Sequence, residues 1–349
     1  MRCLFCQDFD PRWNDFVVSR AEGTFFHLLE WKDLLARRFG YEPYYLYVEQ
    51  SGEIAGILPL FLVKSFLFGR SLVTLPLAVY GGPVARDGQA EQMLWDRAWE
   101  LARRLGVRYV EIRGNPHRGG ASLPGDASNR LEQKDLYVTF MREIDPDPAA
   151  NLAQIPRKQR RMIRQGEKFG LRSVMDDRRL ADFYRVYAAS VRHLGTPVYD
   201  YRYFEDLKAT FKEKCRILLV ERQQKVVAGV LTFLFKDQVL PYYGGSLPES
   251  RDCAPNDFMY WELMRFGAAG GYRVFDFGRS KRDTGSYHFK RHWGFTPREL
   301  PYLYLRVNGR AIPDTSSLNP RLQWAIKLWR RMPLKLTTIV GPRLVRHFP

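Results

Sequence analysis

Two neighbouring stretches hold the residue types from which chemistry is built. They are Phe275-Asp276-Phe277-Gly278-Arg279-Ser280 and Tyr287-His288-Phe289-Lys290-Arg291-His292-Trp293-Gly294. The first reads as an apolar strand with one carboxylate, ending in a glycine turn. The second reads as a basic, aromatic loop that sets Lys290 between Phe289 and Arg291, with Trp293 close behind. Loops held at the ends of rigid strands often carry function. Alternation turns Asp276 to the face opposite Phe275 and Phe277. A carboxylate among aromatics has a raised pKa and could take a proton from an amine; alternatively Asp276 pairs with Arg279 or caps the turn. Lys290 would bring positive charge to a carbonyl or phosphate oxygen that gains negative charge in a transition state. His288 and His292 are further candidate bases. Tyr242, Tyr243 and Asn256 flank loops at strand ends and are candidate substrate contacts, together with Arg279, Tyr287, Phe289 and Trp293.

The elements that position these residues occur twice. Tyr45–Glu49, a polar turn near Gly52 and Ile54–Phe61 predict a hairpin, and so do Ile217–Glu221, Gln223-Gln224 and Val226–Phe233. Tyr80-Gly81-Gly82 follows the first hairpin and Tyr243-Gly244-Gly245 the second, a step of 163 residues. Helices are then expected over Glu91–Leu105 and Asp257–Ala269. Each ends at glycine and leads into a strand, Val107–Ile112 or Tyr272–Phe277, which puts Glu111 and Asp276 in equivalent places. A repeat this long is a tandem duplication of a domain rather than a solenoid. Helices around a hairpin and a further strand make each half an α+β unit with a mixed sheet. The first copy runs through Val110-Glu111-Ile112-Arg113-Gly114 into Asn115-Pro116-His117 and a glycine-rich stretch, without Phe-Lys or Trp-Gly. The lysine segment therefore belongs to the second half alone.

Asp145-Pro146-Asp147-Pro148 makes a turn-rich joint between the halves. A basic helix is expected from Ile155 to Phe169, with Pro156 suited to its first turn and Gly170 to its stop. Arg157, Arg161, Arg164 and Lys168 fall on one face; Arg160 adds to the charge. Such a face is either solvated or binds phosphate oxygens. The tail from Thr315 to Pro349 contains no acid and seven Lys or Arg residues. Its stripe of Leu322, Ile326, Trp329, Met332 and Leu336 would lie on an anionic membrane interface or close a helix over the domains.

Lys and Arg number 55 against 38 Asp and Glu in 349 residues, a net charge of +17. That excess favours polyanionic partners such as RNA, a nucleotide-linked substrate or an anionic surface. The four cysteines are too few for a disulfide scaffold. Cys3 and Cys6 have half the spacing of a zinc site with no second pair, so free thiols are expected. No signal peptide is evident. The longest apolar stretch, Ala55 to Val63, is too short to span a bilayer, so a cytoplasmic protein is expected. No metal site, Gly-x-Ser-x-Gly elbow or phosphate-binding loop of the Gly-x4-Gly-Lys-Ser/Thr type is present, which removes the common hydrolase and NTPase classes.

Three stretches resemble the FemAB family, and within it the FemAB-like proteins associated with the exosortase/PEP-CTERM system of exopolysaccharide-producing bacteria. They are Ile155-Pro156-Arg157-Lys158-Gln159-Arg160 with Ile163-Arg164, Leu194-Gly195-Thr196-Pro197 with Tyr203-Phe204, and Ala254 through Leu263 continuing by Phe275–Ser280 to Phe289-Lys290 and Trp293-Gly294. The resemblance covers residues 20 to 310 and is denser in the second half. It implies two tandem GNAT-like domains, α+β with mixed sheets flanked by helices, and transfer of an acyl or aminoacyl group onto an amine. In better-known relatives the amino acid comes from aminoacyl-tRNA and joins a peptidoglycan precursor, and a Phe-Lys pair serves the transfer. Phe289-Lys290 is the matching pair. GNAT enzymes that use acyl-CoA cradle its pyrophosphate on an Arg/Gln-x-x-Gly-x-Gly/Ala loop, and Tyr243-Gly244-Gly245-Ser246 departs from that pattern. The coiled-coil insert common in seryl- or glycyl-adding relatives is also absent, so the acceptor differs, an exopolysaccharide sugar amine or an envelope glycopeptide.

The expected organisation is a first GNAT-like domain over 1–148, a second, catalytic one over 149–310 and a basic tail over 311–349. Lys290 is expected to stabilise an oxyanion, with Asp276 or the substrate's own phosphate taking the proton. Arg157, Arg160, Arg161 and Arg164 would contact polyanion. No permanently bound cofactor or metal is expected. The donor would be charged tRNA or acyl-CoA, the acceptor an amine-bearing glycan or nucleotide-linked precursor, and the site of action the cytoplasm or the inner face of its membrane. The alternatives are an acyl-CoA-dependent N-acyltransferase and a non-catalytic RNA or membrane-surface adaptor on the same fold.

Overall fold

The structure is a computed structural model that describes residues 1–66, 68–117, 131–308, 312 and 320–347. The side chains of residues 320–323, Arg321 and Leu322 among them, and the glycines after His117 lie outside the described part. The chain forms two compact α+β units. One comprises Met1–Val138, Glu299–Thr315 and Arg346–Pro349, the other Thr139–Arg298 and Ser316–Val345. This corrects the expected division at 148 and 310. Strand Tyr302–Arg306 pairs with Tyr109–Ile112 and Leu131–Lys134 of the first sheet, and Tyr137–Glu143 joins the second sheet. Strand pairing, which sequence order does not reveal, sets these limits. The tail is not a separate part either: its helices Pro320–Arg331 and Leu334–Val345 belong to the second unit.

The first sheet runs in the order Arg2–Phe5, Glu42–Gln50, Glu53–Ser65, Gly69–Thr74, Tyr109–Ile112, Tyr302–Arg306, Leu131–Lys134. The second runs Pro297–Glu299, Tyr137–Glu143, Val274–Lys281, Gln238–Ser246, Lys225–Phe235, Cys215–Arg222, Arg172–Met175. Both expected hairpins are present. Each closes on two residues with positive φ, Ser51 and Gly52 or Gln223 and Gln224. Such turns match the right-handed twist of paired strands. The likeness extends to an irregularity, since the register shifts at Val48/Glu49 in one hairpin and at Val220/Glu221 in the other.

Each hairpin leads to a parallel step. Gly69–Thr74 pairs with Tyr109–Ile112, and Gln238–Ser246 pairs with Val274–Lys281. A parallel step requires a crossover, supplied by helix Gly88–Leu105 in the first unit and Pro255–Ala269 in the second. The first helix is fixed at both ends: Asp87 accepts from the Ala90 amide at 2.8 Å and Gly106 stops it at φ 60°. Its Leu94, Trp95, Ala98 and Leu101 meet Leu46, Leu58, Leu60 and Leu72 in the core.

The copies part at Tyr-Gly-Gly. Tyr243-Gly244-Gly245 stays inside its strand, opposite Leu231, Val230 and Gly229. Tyr80-Gly81-Gly82 lies in an excursion between Gly69–Thr74 and Val84–Ala85, entered through left-handed Leu75 and Leu77.

In the second unit, helix Arg157–Lys168 buries Gln159, Ile163 and Gly166. A Cβ added at Gly166 would stand 2.9 Å from the Phe258 Cβ on helix Pro255–Ala269. Gly→Ala normally favours a helix; here the contact is too close for any methyl. Gly166→Ala is expected to destabilise by about 1–3 kcal/mol, read as a lower urea midpoint with unchanged m. An unchanged or raised midpoint would refute this packing.

Candidate active site

Strand Val274–Lys281 kinks at Gly278, whose φ is 67°. Glycine adopts that conformation without a Cβ penalty. Asp276 is buried, and its Oδ1 accepts the Gly278 amide at 2.7 Å. On the carbonyl side of the kink stands Lys290. Its Nζ donates to the oxygens of Phe277 at 2.7 Å, Gly278 at 3.0 Å and Arg279 at 3.1 Å. An ammonium has three N–H donors, so all three serve the backbone. The same charge stands 5.7 Å from the centre of the Phe140 ring and 6.0 Å from that of Phe277.

The segment expected to be a loop is a helix, Gly285–His292, with the Thr284 hydroxyl facing the Tyr287 amide and Gly294 beyond its end at φ 79°. Thr284 and Gly294 are ordinary start and stop residues; the aromatic content had obscured them. Burial pushes Lys290 down to about 7, the Asp276 carboxylate works in the opposite direction, and Arg279 lowers it further. The three carbonyl acceptors favour the charged form against that burial.

The helix carries Phe289 and Trp293 into an aromatic group with Tyr260 and Phe277. Trp293 is fully buried, and its indole N–H donates to Asp257 Oδ1 at 3.0 Å. Asp257, in the first turn of Pro255–Ala269, was not singled out in the sequence. Burial raises its pKa to about 6, opposed by the Trp293 N–H, its own backbone amide and the charge of Lys158. A carboxylate that titrates there can accept a proton near neutrality. Its partner lies 36 residues along the chain, a separation with no sequence signature. The visible signal was an acid directly after the Ala-Pro-Asn start of a helix. Asn256 beside it is half-buried.

Helix Arg157–Lys168 presents Arg157, Lys158, Arg161, Arg164 and Lys168 outward, while Arg160 is half-buried. No carboxylate among the described residues forms an ion pair with Arg157, Arg161 or Arg164. A Cβ on Gly294 would come within 3.1 Å of Pro156 Cδ, so the turn after Trp293 rests on the start of this basic helix. Lys290, Trp293, Asp257 and the arginines thus share one neighbourhood of the second unit.

Two expected site residues lie elsewhere. Tyr243 is buried with Tyr187, Tyr199, Tyr203 and Phe204, and its hydroxyl stands 3.0 Å from that of Tyr203. It is core, because strand alternation turns it inward. Tyr287 is buried against Phe140 at 5.6 Å, with the Arg291 guanidinium over its ring. Asp276 takes the second of its two expected roles, since its buried carboxylate accepts the Gly278 amide and caps the turn. The oxyanion role given to Lys290 meets an objection, because its donors are engaged. His288 and His292 are exposed. In the first unit Glu111 pairs with buried Arg113 at 3.1 Å, and Arg113 lines a 240 Å³ cleft with Gly81, Gly82 and Asn115. All four cysteines are free thiols, and burial raises Cys3 to about 11 and Cys215 to about 12.

Residues 150–291 match the family model described as acetyltransferase (GNAT) domain. The fold is a tandem GNAT fold. It is similar to the crystal structure of FemX at TM-score 0.69 and 17% identity, covering 93% of this chain and 100% of that one. It is also similar to the C-terminal domain of a putative lysylphosphatidylglycerol synthetase from Agrobacterium fabrum, at TM-score 0.56 and 16% identity over 86% of this chain and 91% of that one. A tandem GNAT protein from the clavulanic acid biosynthesis pathway gives TM-score 0.53 and 14% identity, over 89% and 99%. No curated protein matches the sequence. The domain match and the tandem fold support an acyltransferase.

Lys290→Met would leave carbonyl oxygens at the kink without their donor, and a loss of about 1–3 kcal/mol is expected. Between about 7 and the ordinary 10.5 the unfolded chain holds the Lys290 proton and the folded one does not. Wild-type stability should therefore rise with pH across that window relative to Lys290→Met. Urea melts at several pH values test both; a difference that stays flat from pH 7 to 10 would count against the lowered pKa.

Proposed function

We propose that this protein is an acyl- or aminoacyltransferase acting on an amine acceptor in cell-envelope or exopolysaccharide assembly, with the chemistry in its second unit. The observation that carries this reading is the convergence of the Lys290-clamped kink, Asp257 and the basic helix within one GNAT unit. The acceptor amine attacks the carbonyl carbon of the donor ester. A C–N bond forms, the C–O bond breaks, and Asp257 takes the proton that the amine loses and returns it to the leaving alkoxide. Lys290 acts as a positioning residue that holds the 277–279 backbone. The outward arginines bind the phosphates of the donor or of a nucleotide-linked acceptor. Structures named for FemX and for a lysylphosphatidylglycerol synthetase share the fold, which is in keeping with aminoacyl transfer.

Acyl-CoA is the second candidate donor, and the domain match favours it. The start of the crossover helix speaks against it. Pro255 contributes no amide N–H there, and Asp257 adds a carboxylate to the first turn. A helix N-terminus binds pyrophosphate through free amides and a positive potential, and both residues weaken that. Charged tRNA is therefore our preferred donor, with the cytoplasmic face of the membrane as the place of action and the exosortase-linked exopolysaccharide system as the setting.

The pH profile of transfer tests the role of Asp257. Wild-type kcat/KM should fall below about 6, where the carboxylate becomes protonated. Asp257→Asn should slow transfer on the order of 10²–10⁴-fold and remove that limb. Arg161→Glu with Arg164→Glu should weaken retention of charged tRNA in gels and flatten its salt dependence by about one unit of slope per residue. Thermal stabilisation by acyl-CoA alone, with no tRNA retention, would overturn the tRNA reading.

A further inference from the structure

The two C-terminal helices are anchored on the end of helix Leu180–Leu194 and on the segment that follows it. The Trp329 indole donates to the Thr196 carbonyl at 3.0 Å, the Arg330 guanidinium to the Leu194 carbonyl at 3.1 Å, and Arg192 to the Met332 carbonyl at 3.1 Å. Gly341 packs so tightly on Val198 that a Cβ would meet its carbonyl oxygen at 2.5 Å. Trp329, Thr337, Gly341 and Val345 are buried by this docking.

The docking turns other large apolar side chains outward. Trp324 is 66% exposed and Leu328 56% in the first helix, and Ile339 is 60% and Leu336 48% in the second. Trp324 and Leu328 are four apart and lie on one face, with Lys327 and Arg331 on its flank. Leu336 and Ile339 likewise share a face with Lys335 and Arg343. All four of these bases are exposed, and the sequence from Thr315 to Pro349 holds no acid to neutralise them.

Burial of one stripe does not account for a second, opposite stripe of exposed apolar residues. A partner must satisfy apolar and cationic groups interleaved on the same face. An anionic bilayer interface does so, because tryptophan and aliphatic side chains enter the acyl boundary while lysine and arginine reach the phosphates. We propose that the outward face of helices Pro320–Arg331 and Leu334–Val345 docks on anionic lipid, seating the protein peripherally on a membrane. No helix among the described residues is long and apolar enough to cross one. The attraction gains about 1 kcal/mol from each basic residue near the surface, so binding weakens as salt rises. This inference is independent of the transferase reading, since it needs no donor or acceptor.

Flotation of the full chain with phosphatidylcholine vesicles, with and without phosphatidylglycerol, tests it. Wild type should float with the anionic vesicles at low salt and remain behind with the neutral ones. Trp324→Ser with Ile339→Ser should reduce flotation on the order of tenfold, and Lys327→Gln with Lys335→Gln should shift it to lower salt. These side chains are exposed, and unchanged melting temperatures would show that the fold persists. Wild-type strength in both variants, or equal binding to neutral vesicles, would overturn the proposal. So would loss of a dimer in light scattering, or of RNA retention, in the variants without any vesicle binding by wild type.

Discussion

Three carbonyl oxygens facing one ammonium is the constraint on which the second unit depends. Within strand Val274–Lys281, left-handed Gly278 sits among three carbonyls, those of Phe277, Gly278 and Arg279, that accept from one side chain. Buried carbonyls need donors, and Lys290 supplies three from a single point. Asp276 completes the arrangement by taking the Gly278 amide. Side chains therefore hold the Gly278 amide and the three carbonyls, and the lysine lies against the Phe140 and Phe277 rings. Helix Gly285–His292 must lie where its lysine reaches the kink. That placement carries Trp293 to Asp257 and sets Gly294 against Pro156, so the basic helix is located by the same contact.

The duplicated architecture shows what each copy retained. Both keep the hairpin, its two-residue turn, its bulge and the parallel step. At the equivalent strand the first unit places Glu111 in a closed pair with Arg113, whereas the second builds the lysine clamp. In the first unit the Tyr-Gly-Gly leaves the sheet and lines a cleft; in the second it stays in the sheet and packs. Shared scaffold and separate sites are what a fold that hosts many functions leads one to expect.

Much of the fold was legible from local pattern. Alternation and turn residues located the hairpins, and glycine stops located the helices. The basic face of Arg157–Lys168 was correctly read as outward because its periodicity is strict. The site was less legible. The spacing points to Lys290 and Trp293, but what Lys290 touches depends on backbone carbonyls that no composition discloses. The environment of Asp257 has no local pattern, because it is set by burial and by an indole 36 residues along the chain. Tyr243 lies beside glycines and so has the local pattern of a loop residue, while strand register turns it to the core. The unit boundaries failed for a related reason: a strand's partner is set by sheet order rather than by chain order.

The placement of Tyr302–Arg306 has a consequence for how the protein is made. It fills the place between Tyr109–Ile112 and Leu131–Lys134, and the chain reaches it only after passing through most of the second unit. The Tyr41 hydroxyl and the Ser65 hydroxyl donate later still, to the carbonyls of Arg346 and His347. Chains emerge from the ribosome N-terminus first, and domains tend to fold in that order. Here the first-synthesised unit has an open seam in its sheet until residue 306 has been translated, while the second unit can close around its own strands beforehand. A chain that stops before residue 302 lacks the strand that joins Tyr109–Ile112 to Leu131–Lys134, and each of these keeps an edge that the finished sheet pairs.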